Sequence, residues 1–145
     1  MNKEREITVS ETIMKRGLVK KKQRNKIGKE AMIKEKRPWG NFKIIYQEPG
    51  ITIKIITVNP NSRLSLQSHK LRDENWILLD GQLKYQKENF EFEMLEGIVY
   101  IIPKETKHRL IGKEKGGRVL EISFGKFDEK DIIRYEDDYG RTDKN

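Results

Sequence analysis

The chain has 145 residues, of which 37% are charged and 34% hydrophobic, and a formal net charge of +8. This length suits one folded domain, and no stretch approaches the roughly 18 consecutive apolar residues that a membrane-spanning helix needs. Cysteine is absent, which excludes disulfides and thiolate metal sites. The N-terminus also lacks the apolar core of a secretion signal, so we expect a soluble, cytoplasmic protein with no membrane partner.

The surplus positive charge lies at the N-terminal end. Residues 1–36 carry 12 Lys and Arg against 5 Glu, whereas the rest of the chain carries 19 basic and 18 acidic residues. The few apolar residues of this segment fit one or two helical turns at most, which predicts a basic, partly helical arm. Because no aromatic residue precedes Trp39, a nucleic-acid partner is not expected. We interpret the arm as a tail or an oligomer contact, and we expect a homodimer.

From residue 37 onward, short apolar or alternating runs are separated by turn residues. This pattern predicts an all-β fold of about nine strands, most simply a two-sheet jelly-roll barrel over residues 37–141 with a tail of residues 142–145. The acidic stretch 128–141 is expected to cover the barrel rather than to add a strand. The predicted turns are residues 48–50, 59–61, 80–81, 88–89, 96–97 and 116–117. The predicted strands are Phe42–Tyr46, Ile51–Val58, Leu64–His69, Trp76–Leu79, Leu83–Gln86, Phe90–Leu95, Val99–Ile102, His108–Ile111 and Val119–Phe124.

Both histidines of the chain occur in patterns that suit a metal site. Gln67 and His69 lie two residues apart on a predicted strand and share one face, and a turn can return Glu74 to that face. His108 follows a Gly- and Pro-containing segment and begins a later strand. A single histidine in a strand is more often a core or surface residue, but here two patterns use every histidine, so we predict one divalent ion held by all four residues. Imidazole mixed with oxygen donors suits zinc, with manganese, cobalt or iron as alternatives.

These two patterns resemble the two sequence motifs of the cupin superfamily, with Gln67 in the place of the usual first histidine. Four segments are further similar to type II phosphomannose isomerase, namely residues 37–40 (Arg-Pro-Trp-Gly), 64–69, 72–76 and 131–141. In that family the cupin is commonly the C-terminal half of a bifunctional enzyme whose other half is a mannose-1-phosphate guanylyltransferase. No Gly-rich nucleotide-binding segment precedes Arg37, so the resemblance implies a free-standing isomerase cupin without guanylyltransferase activity.

The resemblance implies a metal-dependent aldose–ketose isomerase whose small-molecule partner is a hexose phosphate, interconverting mannose 6-phosphate and fructose 6-phosphate. The metal would stabilise an enediolate, an acid–base group would move the proton, and cationic side chains would bind the phosphate. The alternative is a non-catalytic or differently specific sugar-binding cupin whose basic arm contacts a polyanion or a protein. By motif position, the candidates are Lys54, Glu121 and Arg134 as catalytic residues, Arg37, Arg72 and Arg141 as substrate-binding residues, and Gln67, His69, Glu74 and His108 as metal ligands.

Some residues of the barrel allow both a structural and a functional interpretation. Lys54 interrupts an apolar strand, so its charge must face solvent or a polar cavity, and we favour the cavity. Trp39 and Trp76 could line a sugar site, but large apolar residues more often lie in the core. The acidic run 136–138 is interpreted as solvated surface or as a partner for arginines rather than as a second metal site. The chain departs from the family pattern at three positions, which leaves the fine mechanism open: Leu71, Asn75 and Ser123.

Overall fold

The computed structural model describes residues 34–142, which form nine β-strands and no helix. The strands are β1 Lys34–Arg37, β2 Gly40–Glu48, β3 Ile51–Val58, β4 Leu66–Ser68, β5 Arg72–Lys87, β6 Phe90–Glu93, β7 Val99–Ile102, β8 His108–Gly125 and β9 Ile133–Glu136. The predicted all-β class is confirmed, whereas residues 1–33 of the predicted arm lie outside the described residues. The boundary predicted between residues 36 and 37 falls within β1. No helix in the described range is long and apolar enough to cross a membrane.

The strands form one antiparallel sheet that curls into a barrel. Its order is β1-β2-β3-β8-β4-β9, and β5 pairs with β8 and also with β6 and β7. The two longest strands, β5 and β8, therefore pair with each other along most of their length and hold the other strands in place.

Two of the predicted turns, at residues 80–81 and 116–117, lie inside β5 and β8, so this part of the prediction is wrong. A register shift occurs on either side of the first pair. Gly81 has a φ of 84°, and a Cβ at this position would lie 2.2 Å from the carbonyl oxygen of Gly116. These glycines therefore mark a bend at which two backbones approach closely, and not the end of either strand. The other four predicted turns do separate strands.

The barrel interior changes from polar to apolar along three neighbouring strands. Because side chains alternate across a strand, every second residue of β3, of β5 up to Leu78 and of β8 from Val119 to Ser123 points inward, and strand pairing sets these residues in layers. Trp39 and Trp76 belong to the apolar core, as predicted, and Trp39 also lines the cavity. From the polar end, the layers are Thr52, Ser123 and Glu74, then Lys54, Glu121 and Trp76, then Ile56, Val119 and Leu78.

The segment after β8 both covers the barrel and adds a strand. Glu129 and Ile132 line the interior cavity, in agreement with the cover expected over residues 128–141, and Phe127 just before this stretch lines it too. However, β9 pairs with β4, so the expectation of no further strand is wrong. Three of the four β9 residues are exposed, so the strand lacks the alternation of apolar and polar residues that reveals a strand in a sequence.

We expect Gly81→Ala to destabilise the barrel far more than Gly97→Ala. Gly97 has a similar φ of 78°, but a Cβ added there would have no atom within 4 Å, so its substitution should cost only the backbone strain of about 1–2 kcal/mol. At Gly81 the backbones of β5 and β8 would also have to separate, so we expect a loss of about 3–5 kcal/mol or failure to fold. Denaturant unfolding would measure both variants. Equal losses would contradict the close approach.

Candidate metal centre and substrate cavity

His69, Glu74 and His108 form a buried cluster at the polar end of the barrel. His69 follows β4, Glu74 lies in β5, and His108 opens β8 opposite Gln67. Nε2 of His69 lies 3.2 Å from Oε1 of Glu74, and Nε2 of His108 lies 3.2 Å from Oε2 of the same carboxylate. One ligand atom from each residue lies within 4.8 Å of the others. This spacing suits a single ion, whose N and O ligands lie about 2.0–2.2 Å away.

Backbone carbonyls fix the tautomers of both histidines. Nδ1 of His69 lies 2.8 Å from the Asp131 carbonyl oxygen, and Nδ1 of His108 lies 2.7 Å from that of Thr106. A carbonyl oxygen only accepts, so each Nδ1 carries a proton and the neutral ring presents an Nε2 lone pair to Glu74. Glu74 Oε2 and His108 Nε2 are buried without a hydrogen-bond partner. Because buried lone pairs that face each other are unfavourable, the cluster fits a cation between them.

Burial and the charges within the cluster shift the pKa values of all three residues. Burial lowers the pKa of His69 to about 4. Burial also disfavours the charged form of His108, but the Glu74 carboxylate outweighs it and raises the pKa of His108. Burial likewise disfavours the ionised form of Glu74, yet His108, His69 and Arg72 hold its pKa below the usual range. The carboxylate is therefore ionised, and a metal ion would displace the proton that His108 attracts.

Gln67 and Arg72 complete the polar surroundings of the cluster. Oε1 of Gln67 accepts a hydrogen bond of 3.1 Å from Ser65, which leaves the amide oxygen a second lone pair for a metal. Arg72 donates from Nε to Oε1 of Glu74 at 3.0 Å and from Nη2 to Nε2 of His69 at 3.1 Å. A metal ion bound by His69 would therefore compete with Arg72 for the lone pair on Nε2 of His69.

A cavity of about 180 Å³ opens beside the cluster. Of the ten predicted site residues, eight line it, and the other two, His69 and His108, contact Glu74 in its wall. Five cationic side chains face three carboxylates, so the lining has a surplus of positive charge. Glu129 and Ile132 line the cavity from the stretch 128–141 that was expected to cover the barrel. Five further lining residues had no predicted role in the site: Phe42, Ile56, Leu64, Ser65 and Phe127.

Lys54 and Glu121 form a buried pair in the cavity wall. Lys54 Nζ lies 3.9 Å from Oε1 of Glu121 and 3.9 Å from the ring centre of Phe127. Burial lowers the pKa of Lys54. Burial, followed by the charge of Glu74, raises the pKa of Glu121. Trp76 Nε1 donates to Oε2 of Glu121 at 3.0 Å, so this carboxylate has a fixed orientation.

Arginines pair with the acidic run of residues 136–138, as one of the two interpretations of that run predicted. Within residues 34–142, the His69 cluster is the single group of His, Asp and Glu residues with the geometry of a metal site. The acidic run is therefore no second metal site. Its ion pairs are Arg109–Glu136, Arg141–Asp137 and Arg63–Asp138.

Comparison with known sequences gives a consistent family assignment. A family model described as the C-terminal part of mannose-6-phosphate isomerase matches residues 22–137. A mannose-1-phosphate guanylyltransferase of Klebsiella pneumoniae is 34% identical over 146 residues, which cover 97% of this chain and 29% of that protein. The alginate biosynthesis protein AlgA of Pseudomonas aeruginosa is 37% identical over 108 residues, which cover 73% of this chain and 22% of that protein. The chain thus spans less than a third of the length of these relatives.

Solved structures resemble this chain in fold. A mutant of Bacillus subtilis oxalate decarboxylase OxdC superposes with a TM-score of 0.66 at 16% identity, covering 78% of this chain and 33% of that one. The cupin domain of Schizosaccharomyces pombe Cnp3 gives a TM-score of 0.56 at 14% identity, covering 59% and 64%. At such identities the likeness shows the fold alone, and it confirms the predicted cupin barrel.

We expect the chain to bind one divalent ion and the variants His69→Ala and His108→Ala to lose it. Removal of one ligand should weaken metal binding by more than about a hundredfold. Loss of a hydrogen-bond partner of a metal ligand, which is a smaller change, already lowers metal affinity by about 10- to 100-fold. Elemental analysis of protein prepared without a metal-affinity tag would measure the content. Asp138→Ala, which removes a carboxylate from the acidic run, should retain the ion. Full occupancy in the double histidine variant would disprove the assignment.

Proposed function

The chain belongs to the family of mannose-6-phosphate isomerase C-terminal domains, and on this basis we propose that its barrel interconverts mannose 6-phosphate and fructose 6-phosphate in a metal-dependent reaction. The composition of the cavity carries the proposal, since Glu74 of the metal cluster and five cationic side chains line the same space. Such a lining suits a substrate with a carbonyl at one end and a phosphate dianion at the other. The guanylyltransferase activity named for the relatives is not proposed, because the chain spans at most 29% of their length.

His69, Glu74 and His108, with Gln67 as the fourth ligand, are the residues that we propose to hold the ion. Nitrogen and oxygen donors of this kind suit zinc, and also manganese, cobalt or iron. When bound, the ion would supply Lewis-acid polarisation of the substrate carbonyl.

Lys54 is the group that we propose to move the proton between C2 and C1 of the sugar. Burial lowers the pKa of Lys54, which eases loss of the ammonium proton, and the amine formed in this way can accept a proton from carbon and return it to the neighbouring carbon. Glu121 would position this amine, since Trp76 and Ser123 donate hydrogen bonds of 3.0 and 3.3 Å to its two oxygens. Aromatic rings flank the Lys54–Glu121 pair, and Lys54 Nζ lies 4.6 Å from the ring centre of Phe42. These rings limit the access of water to the pair.

The phosphate would bind to three further arginines of the cavity, Arg37, Arg134 and Arg141. Arg141 donates to both oxygens of Asp137, and Arg37 lies 2.6 Å from Glu35 and 3.6 Å from Glu129. Together with Arg134 they supply the guanidinium groups that bind phosphate through paired hydrogen bonds. Arg72 differs from them because it contacts Glu74 and His69, so we place it at the carbonyl end of the substrate.

Metal-loaded protein should form fructose 6-phosphate from mannose 6-phosphate in a coupled assay. Lys54→Met should lower kcat by about 10²- to 10⁴-fold, the usual contribution of a general base, while the metal content stays unchanged. Glu74→Gln should abolish turnover together with metal binding. If the metal-loaded wild type turns over no hexose phosphate, the enzyme proposal fails and the sugar-binding alternative replaces it.

Arg134→Ala should raise the KM for mannose 6-phosphate with a smaller effect on kcat. A phosphate contact made equally in the ground and transition states affects binding rather than turnover. Because a charge-assisted contact contributes about 1.5–3 kcal/mol, the KM should rise about tenfold to a hundredfold. The control is Arg118→Ala, since Arg118 pairs with Asp80 at the exposed surface and does not line the cavity. A kcat defect at unchanged KM would assign Arg134 to the chemical step instead.

A further inference from the structure

The two candidate metal-binding histidines are oriented by carbonyls from different parts of the chain. The Thr106 carbonyl that accepts from Nδ1 of His108 lies only two residues before it, so this contact is local. The Asp131 carbonyl that accepts from Nδ1 of His69 lies 62 residues away, in residues 128–141, which we call the cover segment. The orientation of the His69 ring therefore depends on how the cover segment docks onto the barrel.

Asp131 contacts three consecutive residues of the turn that follows β4. Its carboxylate accepts the backbone N–H groups of Lys70 and Leu71 at 3.1 and 2.8 Å, and its carbonyl oxygen lies 2.8 Å from Nδ1 of His69. On the other side of this turn, the backbone carbonyl of His69 accepts the N–H of Glu105 at 2.7 Å. The backbone of His69 is thus also held without Asp131, whereas the direction of its imidazole ring depends on the Asp131 contact.

The strand that leads into this turn is held by the same segment. β4 pairs with β8 at one position, where Gln67 lies opposite His108, but it pairs with β9 of the cover segment at three. One of these three positions sets Arg134, a candidate phosphate ligand, opposite Gln67. The cover segment therefore contributes more strand pairing to β4 than the barrel wall does.

Glu74 favours the wrong tautomer of His69 for metal binding. Oε1 of Glu74 lies 3.2 Å from Nε2 of His69. An ionised carboxylate only accepts hydrogen bonds, so it favours a proton on this nitrogen, and that proton would leave no lone pair there for a metal ion. The Asp131 carbonyl opposes this effect because it draws the proton to Nδ1. Arg72, which donates to Nε2, acts in the same direction as Asp131.

We propose that Asp131 is a positioning residue of the metal centre, which fixes the ring direction and the tautomer of His69 by docking the cover segment onto the turn. This inference rests on the metal centre of the proposed function. It makes the metal affinity depend on a residue that belongs neither to the ligand cluster nor to the cavity lining. Loss of such a hydrogen-bond partner typically lowers metal affinity by about 10- to 100-fold.

Nitrogen-15 NMR of the metal-free, full-length chain without a histidine tag tests the tautomer directly. The chain has two histidines, so His108, which Thr106 orients, is an internal control. Asp131→Ala should shift the ring signals of His69 toward the form that is protonated on Nε2, and it should leave His108 in its wild-type tautomer. Asp131→Asn should give an intermediate result, because the amide oxygen still accepts a backbone N–H group.

Zinc titration against a competing chelator measures the consequence for the metal centre. Asp131→Ala should weaken zinc binding by about 10- to 100-fold, and Asp131→Asn should weaken it less. The matched control is Asp138→Ala, which removes a carboxylate of the same segment that pairs with Arg63 at the surface, and it should bind zinc as the wild type does. Circular dichroism checks the fold of each variant, and if Asp131→Ala does not fold, Asp131→Asn provides the test.

A wild-type tautomer of His69 in Asp131→Ala would overturn the proposal even if zinc binding were weaker, because the carboxylate would then act through its charge. An equal loss of zinc affinity in Asp138→Ala would also overturn it, since any loosening of the cover segment would then have the same effect. If the wild type binds no divalent ion, the metal centre of the proposed function fails, while the ring signals of His69 still show whether Asp131 orients it.

Discussion

The site depends on the burial of charged groups at one end of a barrel whose other end is packed with apolar side chains. Burying a charge is costly unless it is paired, and here each buried charge has specific partners. Glu74 lies between two imidazoles and Arg72, and Glu121 accepts from Trp76 and Ser123 beside Lys54. Removal of a single partner would leave an uncompensated charge, at a cost of about 3–5 kcal/mol. The groups that shape the cavity therefore also stabilise the polar end of the barrel.

The length of β5 and β8 is what brings these groups together. His108 and Glu121 both lie on β8, and its pairing with β5 places Glu121 opposite Trp76, two residues beyond Glu74. Two shorter strands with a turn at residues 116–117 would not hold this register through the bend. The close approach at Gly81 allows both strands to bend and to continue, so the metal cluster and the Lys54–Glu121 pair occupy one curved wall.

The sequence predicts much of this architecture because alternation and motif spacing are local signals. Every second residue of β3 is buried, which places Lys54 in the cavity wall beside Glu121. The glycines at the bend caused the wrong turn predictions at residues 80–81 and 116–117. A glycine indicates either a turn or a close backbone approach, and only the position of the partner strand distinguishes the two. The exposed β9 gave no periodic signal. The tautomers of the histidines could not be predicted from the sequence either, because the carbonyl that accepts from His69 belongs to a residue 62 positions away.

That long-range contact joins the metal cluster to the cover of the cavity. The Asp131 carboxylate accepts the backbone N–H groups of Lys70 and Leu71 at 3.1 and 2.8 Å, while its carbonyl accepts from His69. The same segment supplies Phe127 and Arg134 to the cavity. The turn that presents the candidate metal ligand and the segment that presents the candidate phosphate ligand are thus fastened at one residue. A substrate whose carbonyl and phosphate lie several bonds apart requires a fixed distance between its two binding groups, and this connection can maintain it.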